Sequence, residues 1–375
     1  MPGEPAPGQR LELPPGWPPG FATGAANRRA LVVLAALRGM SPRRLRELAW
    51  RTGDASACLG EVRRGRAGSE ADGEAARTLD PDRLLRRAGD VGARVVGPGD
   101  EEYPPGLLDL PDPPAALFVR GARLGPGRRV AVVGARNCTP TGAEVAHDLG
   151  RALAAAGVSV VSGAARGIDS RAHEGALAAG GPTVAVLGCG IDVAYPVRSG
   201  RLLGRIVERG TVLSEYAPGV PAEPFRFPAR NRLIAALSEA VVVVEGAEGS
   251  GSLITADHAL DLGRQVLAVP GPVTSPLSAA PHALIRDGAG LIRGPADLLE
   301  DLGVGPGPAT APPPADLGQL EERVLAHLAG PALPEQVARA AGLSLPEVLA
   351  ALTRLELLGL VRSVGGRVER RAPGP

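Results

Sequence analysis

Lysine is absent from this chain of 375 residues, and all 41 of its basic side chains are arginines. A phosphate-binding P-loop depends on a lysine, and pyridoxal-phosphate enzymes hold their cofactor through a lysine Schiff base. The missing lysine therefore excludes both classes of protein. The net charge is only +1, so binding to a polyanion such as nucleic acid requires positive charge that is concentrated locally.

Cysteine, histidine and long apolar runs are also scarce. Cys58, Cys138 and Cys189 lie far apart and form no Cys-x-x-Cys pair, so we expect neither a disulfide framework nor a zinc ribbon. The five histidines form no His-Glu-x-x-His motif, so we expect no metal site. No apolar run reaches about 18 residues and no secretory signal pattern opens the chain. We therefore expect a cytoplasmic protein that does not contact a membrane.

Aromatic residues are rare, yet two of them stand together in the segment 225–235, Phe-Arg-Phe-Pro-Ala-Arg-Asn-Arg-Leu-Ile-Ala. Phe225 and Phe227 are interleaved there with Arg226, Arg230 and Arg232, where a helix is expected to begin. A base-stacking platform beside phosphate-binding arginines is one interpretation, because single-stranded nucleic acid is held by both kinds of contact. A buried hinge held by ion pairs is the other.

Composition divides the chain into five segments. Proline and glycine are dense in the first twenty residues and again over 303–315, which indicates a loose N-terminus and a semi-rigid linker. Two helical patterns, at 27–38 and 42–50, form a small module near the N-terminus. The predicted segments are a disordered N-terminus (1–25), a helical module of the SAM or helix-hairpin-helix type (26–75), an extended Rossmann-like domain (76–302), the linker (303–315) and a winged-helix-like domain (316–371).

Short apolar runs rich in valine alternate with helical patterns throughout the central segment. Strands are predicted at 129–133, 158–161, 183–187, 211–213, 240–244 and 265–269, and helices at 141–156, 170–179, 199–209, 232–237 and 254–262. Continuous apolar strands are typical of a sheet that is buried on both faces. The alternation of strand and helix then predicts an α/β fold, built on a doubly wound parallel sheet.

Small residues, several of them beside an arginine, follow the predicted strands. These loops are 134–137, 162–169, 188–192, 214–216, 245–252 and 270–272. In a parallel α/β sheet the ligand binds beyond the carboxyl ends of the strands. Glycine lets backbone amides approach an anion, and helix N-termini add partial positive charge there. Several such loops on one edge predict a phosphate-bearing ligand.

Three ligand classes suit such an edge. A dinucleotide is disfavoured, because the first strand is not followed by Gly-x-Gly-x-x-Gly and Ser162-Gly163 stand where an acidic residue is expected. A nucleoside-monophosphate-hydrolysing Rossmann-like enzyme is the alternative function. The loop 249–255 lacks the glutamate of the Pro-Gly-Gly-x-Gly-Thr-x-x-Glu motif that such hydrolases carry. Single-stranded nucleic acid, held by phosphate contacts and base stacking, is the third class.

Residue patterns for catalysis are thin. Asp169 and His173 lie four residues apart at a helix start, where the aspartate either caps the helix or forms a catalytic pair with the histidine. Ser162 lacks the Gly-x-Ser-x-Gly elbow of serine hydrolases. We therefore predict a binding protein that is not an enzyme, with no catalytic residue and no cofactor.

Seven motifs in order resemble the bacterial DNA-processing protein A family (DprA, also called Smf). They lie at 130–136 (Val-Ala-Val-Val-Gly-Ala-Arg), 160–173, 186–196, 213–216 (Leu-Ser-Glu-Tyr), 227–235 (Phe-Pro-Ala-Arg-Asn-Arg-Leu-Ile-Ala), 250–256 and 268–271, and a lead-in at 111–121 extends the match. The resemblance implies an extended Rossmann fold that binds single-stranded DNA without sequence preference. It also implies loading of the RecA recombinase onto incoming strands in natural transformation, and a homodimer. In a bacterium that is not transformable, the function would be chromosomal recombination or repair.

The family's pattern, carried onto this sequence, together with the small-residue loops that follow the strands, predicts the residues that bind nucleic acid. They are Gly134, Arg136, Ser162, Gly163, Arg166, Gly167, Phe227, Arg230, Asn231, Arg232, Ser250, Gly251 and Ser252. Arg166 stands where the family commonly has lysine, which keeps the charge and changes its geometry. The family's Ser-x-Gly-x-Asn pattern is replaced at 278–282, so no contact is predicted there. Tyr195 and Tyr216 are interpreted as loop packing.

The C-terminal segment has the pattern of three helices followed by a hairpin. Its third helix carries one arginine and two glutamates over 345–356, whereas a recognition helix usually shows more positive charge. This favours contact with protein, or weak DNA contact through arginines of the wing (Arg362, Arg367, Arg370 and Arg371), over the sequence-specific binding of a winged-helix transcription factor.

Overall fold

The computed structural model describes residues 13–305, 317–328, 330–358, 360–364 and 366–370. The chain divides into two compact units, Met1–Gly307 and Pro308–Pro375. Most of the predicted linker, residues 306–315, lies outside the described residues. The same holds for residues 1–12 of the N-terminus and for Gly365 and Arg371 of the predicted wing.

Five helices follow the N-terminal segment: α1 (Ala25–Leu34), α2 (Pro42–Thr52), α3 (Ala55–Arg63), α4 (Glu70–Thr78) and α5 (Pro81–Asp90). The Ser41 hydroxyl accepts from Arg44 N and Pro42 occupies the first turn, so α2 begins as the sequence predicts. The predicted disorder over 1–25 is wrong for residues 13–24. Trp17 and Phe21 stack there with ring centroids 4.4 Å apart, and both are buried against the helical module.

A nine-stranded mixed sheet forms the centre of the first unit. Its strands are β1 (Ala93–Val96), β2 (Leu117–Gly121), β3 (Arg129–Val133), β4 (Ser159–Ser162), β5 (Thr183–Val186), β6 (Thr211–Ser214), β7 (Ala240–Val243), β8 (Gln265–Ala268) and β9 (Gly290–Leu291). They lie in the order β1-β2-β6-β5-β4-β3-β7-β8-β9. The seven strands β3 to β9 are all parallel to their neighbours within this group. Strands β1 and β2 are antiparallel additions at the β6 edge.

Helices cover both faces of the sheet, as the doubly wound prediction requires. They are α6 (Pro140–Ala155), α7 (Ile168–Ala178), α8 (Gly200–Arg209), α9 (Arg226–Ala236), α10 (Gly251–Asp261), α11 (Ala279–Arg286) and α12 (Pro295–Asp301). Helices α6, α7 and α12 pack on one face, and α9, α10 and α11 pack on the other. Alternate residues of β3 enter the two cores, Val130 and Val132 on one side, Ala131 and Val133 on the other. This two-sided burial is why the strands have no polar alternation.

The second unit contains α13 (Gln319–Ala326), α14 (Pro334–Ala341), α15 (Leu345–Leu357), β10 (Val361–Val364) and β11 (Arg367–Arg370). The strands form an antiparallel hairpin in which Val361 pairs with Arg370 and Val364 with Arg367. Val324, Val337 and Val348 form its own small core. The structure therefore confirms the predicted fold class, a Rossmann-like α/β sheet together with a winged helix.

Candidate nucleic-acid interface

The loops after β3, β4, β5 and β7 meet at the carboxyl edge of the sheet, where α9 and α10 begin. A cavity of about 300 Å³, called here the inner cavity, opens between the loops after β3 and β4 and the first turns of α9 and α10. A cleft of about 660 Å³, called here the outer cleft, lies towards the loop after β5. The two share Arg136, Phe227 and Arg230, so they flank the same side chains.

Ten of the thirteen predicted nucleic-acid-binding residues line one or both of these hollows. The inner cavity takes Gly134, Arg136, Phe227, Arg230, Asn231, Ser250, Gly251 and Ser252, and the outer cleft adds Gly163 and Arg166. The other three, Ser162, Gly167 and Arg232, line neither, and each has a structural task instead. The buried Ser162 hydroxyl donates to Val132 O at 2.7 Å. Gly167 has φ +87° and lies against the backbone of Arg136, where a side chain would be strained.

Arg230 was predicted to bind phosphate, but the structure uses most of its donors internally. Its side chain is buried, with only 4% of the residue exposed. Nη1 donates to Gly163 O at 3.0 Å and also to Val186 O, which ties the loop after β4 to the end of β5. Nε lies 3.3 Å from Asn231 Oδ1. Arg230 therefore has a structural role beneath both hollows, and its contact with phosphate stays a prediction.

Asp169 and His173 form further hydrogen bonds beneath the site, next to Arg230. Asp169 Oδ2 accepts from Gly163 N at 3.1 Å and from Ala165 N at 3.4 Å, so the carboxylate shapes the loop after β4. Burial raises the pKa of Asp169, and the nearby Arg230 guanidinium opposes that rise. His173 Nδ1 lies 2.7 Å from Thr183 Oγ1, which itself donates to Val160 O. The Nδ1 atom is therefore the donor. Asp169 does not cap α7 as predicted, and its side chain holds the loop after β4 instead.

Arg232 lines neither the inner cavity nor the outer cleft, and its side chain is held by two carboxylates. Its Nη2 lies 2.7 Å from Glu215 Oε2 and its Nε lies 3.1 Å from Asp112 Oδ2, with almost no exposure of the guanidinium. Burial alone would lower the pKa of Arg232, but the two carboxylates outweigh that effect and raise it. These ion pairs favour the interpretation of a buried hinge at this position, and the phosphate contact of Arg232 stays a prediction.

Arg136 and Arg166 keep their charge available. Both side chains are exposed, and neither forms an ion pair with any carboxylate in the part of the chain that the structure describes. The guanidinium of Arg136 lies 5.3 Å from the Phe227 ring centroid, a cation–π arrangement. Arg166 donates to the side-chain oxygen of Asn137. These two arginines concentrate positive charge at this edge of the sheet, although the net charge of the chain is only +1.

Phe227 is half-buried, and its ring lies beside that of Tyr195, a residue that is not among the predicted nucleic-acid-binding residues. The ring of Tyr195 lies 5.3 Å from that of Phe227, tilted by 30°. Tyr195 is 49% exposed and lines the outer cleft, so it lies at the site as well as packing on Phe227 as the sequence predicts. Tyr195 follows β5 in a loop that also carries glycines, and this position in the sequence indicates the same carboxyl edge of the sheet. Phe225 lies on the other side of the α9 start, where its ring contacts the guanidinium of Arg226.

The N-terminus of α10 faces the inner cavity. Ser250 is its N-cap, and its hydroxyl accepts from Ser252 N at 3.4 Å and lies 2.9 Å from Ser252 Oγ. Asn231 Nδ2 donates to Gly251 O at 3.1 Å, which fixes this turn against α9. Backbone amides at a helix N-terminus carry partial positive charge, so this wall of the cavity favours an anion.

The N-terminus of α6, in contrast, is already occupied by a carboxylate. Glu245 accepts from Thr139 N at 2.9 Å and from Thr139 Oγ1 at 2.6 Å. A dinucleotide-binding fold places the pyrophosphate at this first helix. Since Glu245 takes that place and repels an anion, the first helix of this sheet is a poor place for a pyrophosphate.

No group of three or more histidine, cysteine or acidic side chains in the described ranges is arranged to hold a metal ion. No helix that the structure describes is long and apolar enough to cross a membrane.

Comparison with known proteins places these features in a family. The model of the family described as DNA recombination-mediator protein A matches residues 94–303, and that of the DprA winged helix domain matches residues 308–367. Protein Smf of Escherichia coli is 41% identical over 287 residues, 73% of this chain and 77% of that protein. The DNA processing protein DprA of Streptococcus pneumoniae is 44% identical over 203 residues, 54% of this chain and 72% of that protein.

Two solved structures share the fold. DNA processing protein A of Streptococcus pneumoniae superposes with a TM-score of 0.64 at 34% identity, over 74% of this chain and 98% of that one. The second, from Helicobacter pylori, is described by its single-stranded DNA binding mode. It has a TM-score of 0.51 at 29% identity, over 56% of this chain and 95% of that one.

Proposed function

Because this chain belongs to the DNA recombination-mediator protein A family, whose members are also called DprA and Smf, we propose that it binds single-stranded DNA without sequence preference. The binding site is the carboxyl edge of the sheet, at the inner cavity and the outer cleft. The relative from Helicobacter pylori, whose structure concerns single-stranded DNA binding, supports this choice of ligand.

One observation carries the proposal. Arg136 and Arg166 stand without ion-pair partners among the described residues, beside the rings of Phe227 and Tyr195. Forked guanidinium groups suit phosphate oxygens, and aromatic rings suit unpaired bases. Stacking is tolerant of base identity, because every base has a π face, so such a site binds strands irrespective of sequence. Duplex DNA hides those faces.

We further propose that the protein acts in the cytoplasm as a homodimeric recombination mediator that loads RecA onto the bound strand, in natural transformation or in chromosomal recombination. The name of the matching family supports the mediator role. The mediator needs no catalytic group, and the site agrees with this. Asp169 is the one carboxylate lining the inner cavity among the described residues, and its Oδ2 is held by two backbone amides.

The test is fluorescence anisotropy with labelled oligo-dT and a matched duplex over a salt series. We expect tighter binding of the single strand, and an affinity that falls with salt as counterions are released. The double variant Arg136→Ala/Arg166→Ala should bind weakly, with a salt slope smaller by about 1.5 to 2. Arg201→Ala/Arg205→Ala is the matched control, because both arginines are exposed on α8 and line neither hollow.

Equal affinity for the duplex, or a double variant that binds like the wild type, would overturn the proposed site. Incubation with nucleoside monophosphates, followed by chromatography, tests the hydrolase alternative. Release of free base would replace the binding function with an enzymatic one.

A further inference from the structure

A third hollow, of about 780 Å³ and called here the module cleft, opens between the N-terminal helices and the sheet. Four parts of the chain line it: the turn between α1 and α2 (34–45), the start of α5 (78–87), the segment before β2 (112–116) and the loop from β6 into α9 (215–232). The module cleft shares no lining residue with the inner cavity or the outer cleft. It is therefore separate from the proposed DNA site.

The floor of the module cleft is apolar. Its buried side chains include Leu34, Leu37, Met40, Leu45 and Ala115. Phe225 stands at the rim and is 65% exposed, with its ring centroid 5.0 Å from the guanidinium carbon of Arg226. Aromatic side chains are enriched at protein–protein interfaces and often dominate their binding energy. This floor and rim therefore suit apolar side chains of a partner.

The charges of the module cleft are not balanced. Every carboxylate in its lining has an arginine partner: Asp80 has Arg86, Asp112 and Glu215 have Arg232, and Glu223 has Arg226. Arg38 and Arg83 also line the cleft, and both are exposed. Neither forms an ion pair with a carboxylate in the part of the chain that the structure describes. Two such guanidinium groups beside an apolar floor favour a partner that carries carboxylates next to apolar side chains.

Arg232 adds a hydrogen-bond donor at the buried end of the module cleft. Its Nε and Nη2 contact Asp112 and Glu215, but its Nη1 is buried and has no hydrogen-bond partner among the described residues. The side chain is only 8% exposed. Buried donors without an acceptor are rare in folded proteins. A backbone carbonyl of a bound peptide is an acceptor of the required kind.

A nucleic-acid strand suits this cleft poorly. It carries a phosphate at every nucleotide, and four carboxylates stand in the lining, so part of the strand would meet like charge. A peptide bears negative charge only at its acidic residues and can place apolar side chains between them.

We propose that the module cleft binds an acidic peptide segment of a partner protein. The apolar side chains of the segment lie on the floor, its carboxylates contact Arg38 and Arg83, and one of its backbone carbonyls accepts from Arg232 Nη1. The inference goes beyond the proposed DNA binding and does not depend on it, because the two sites have no lining residue in common.

The test begins with selection from a phage-displayed library of random peptides on immobilised full-length protein. We expect sequences in which aspartate or glutamate adjoins leucine or an aromatic residue. A recovered peptide, labelled with fluorescein, is then titrated by anisotropy. Its affinity should fall about tenfold or more for Arg38→Glu/Arg83→Glu and again for Phe225→Ala, and circular dichroism checks that these exposed substitutions leave the fold intact.

Arg51→Glu/Arg205→Glu is the matched control. It changes the net charge equally, at two exposed arginines that do not line the module cleft, so peptide affinity should stay within about twofold of the wild type. Saturating oligo-dT should likewise leave peptide affinity within about twofold, because the strand and the peptide occupy separate sites.

Three results would overturn the inference: recovery of basic sequences, recovery of none that loses affinity in Arg38→Glu/Arg83→Glu, and displacement of the peptide by oligo-dT. The last would show that the module cleft belongs to the DNA path. A wild type that binds the peptide but not oligo-dT would refute the proposed function and leave the peptide site standing.

Discussion

The guanidinium of Arg230 lies directly against the backbone of Gly163. A Cβ atom built at Gly163 would stand 2.7 Å from Arg230 Cζ and 2.7 Å from Asp169 Oδ2. Since Arg230 is bonded to two backbone carbonyls and Asp169 to two backbone amides, neither can retreat without losing hydrogen bonds. Glycine is thus required at this position by packing, and the side chains of Arg230 and Asp169 shape the loop through their bonds to its backbone.

Gly163→Ala should therefore destabilise the protein by about 1–3 kcal/mol, the usual cost of forcing an extra methyl group into a packed site. Urea unfolding followed by circular dichroism measures this change. Gly204→Ala is the control, because Gly204 lies inside α8 and the position of an added Cβ atom there is open space. Alanine at this position should stabilise the helix by about 0.5–1 kcal/mol. A Gly163→Ala protein as stable as the wild type would contradict the packing of Arg230 against this loop.

Arg232→Ala should lower stability without altering DNA affinity. The substitution leaves Glu215 buried without its partner, a change that typically costs about 3–5 kcal/mol. Because Arg232 lines neither the inner cavity nor the outer cleft, the folded fraction should bind oligo-dT within about twofold of the wild type. Unfolding curves and anisotropy measured on one preparation separate the two effects.

The double variant Arg232→Met/Glu215→Leu is the control for this prediction. It removes both charges of the pair and fills the space with apolar atoms, so it should recover much of the lost stability. If Arg232→Ala reduces DNA affinity as strongly as Arg136→Ala/Arg166→Ala, Arg232 contacts the strand after all.

His173 should make the protein sensitive to moderate acid. Burial lowers the pKa of His173 to about 3 from its ordinary value of 6.5, and the charge of Arg230 adds to the effect. Between these values the unfolded chain holds a proton that the folded protein does not. The free energy of unfolding therefore falls as the pH falls from about 6.5, by up to about 1.4 kcal/mol per pH unit.

His173→Asn should remove this slope, because asparagine keeps a donor towards Thr183 and does not titrate. Unfolding free energies measured between pH 4.5 and 7.5 compare the variant with the wild type. His258→Asn, at a half-buried position on α10, is the matched control for replacing a histidine by asparagine. A His173→Asn protein with an unchanged slope would show that another group binds the proton.

The fold was predictable where local pattern and burial agree. Apolar runs without alternation identified β3 to β8, since a strand covered on both faces has no polar side. The antiparallel strands β1 and β2 and the two-residue strand β9 were not predicted. Proline and glycine content predicts disorder for residues 13–24, yet Trp17 and Phe21 bury enough surface to order that segment.

The sequence by itself determined the doubly wound sheet and the residue types gathered at its carboxyl edge, where we propose the site. The alternation of strands with helices and the positions of the loops follow from local patterns. It did not determine which arginines are free. Arg230 bonds to carbonyls 44 and 67 residues away, and Arg232 pairs with Asp112, 120 residues away. Arg136 and Arg166 have no ion-pair partner among the described residues, and Tyr195 is 49% exposed, so these three side chains remain accessible to a ligand. Only the tertiary structure brings such distant partners together. A guanidinium that is bonded to carbonyls or carboxylates of the protein stabilises the fold, whereas one without such partners can bind a ligand.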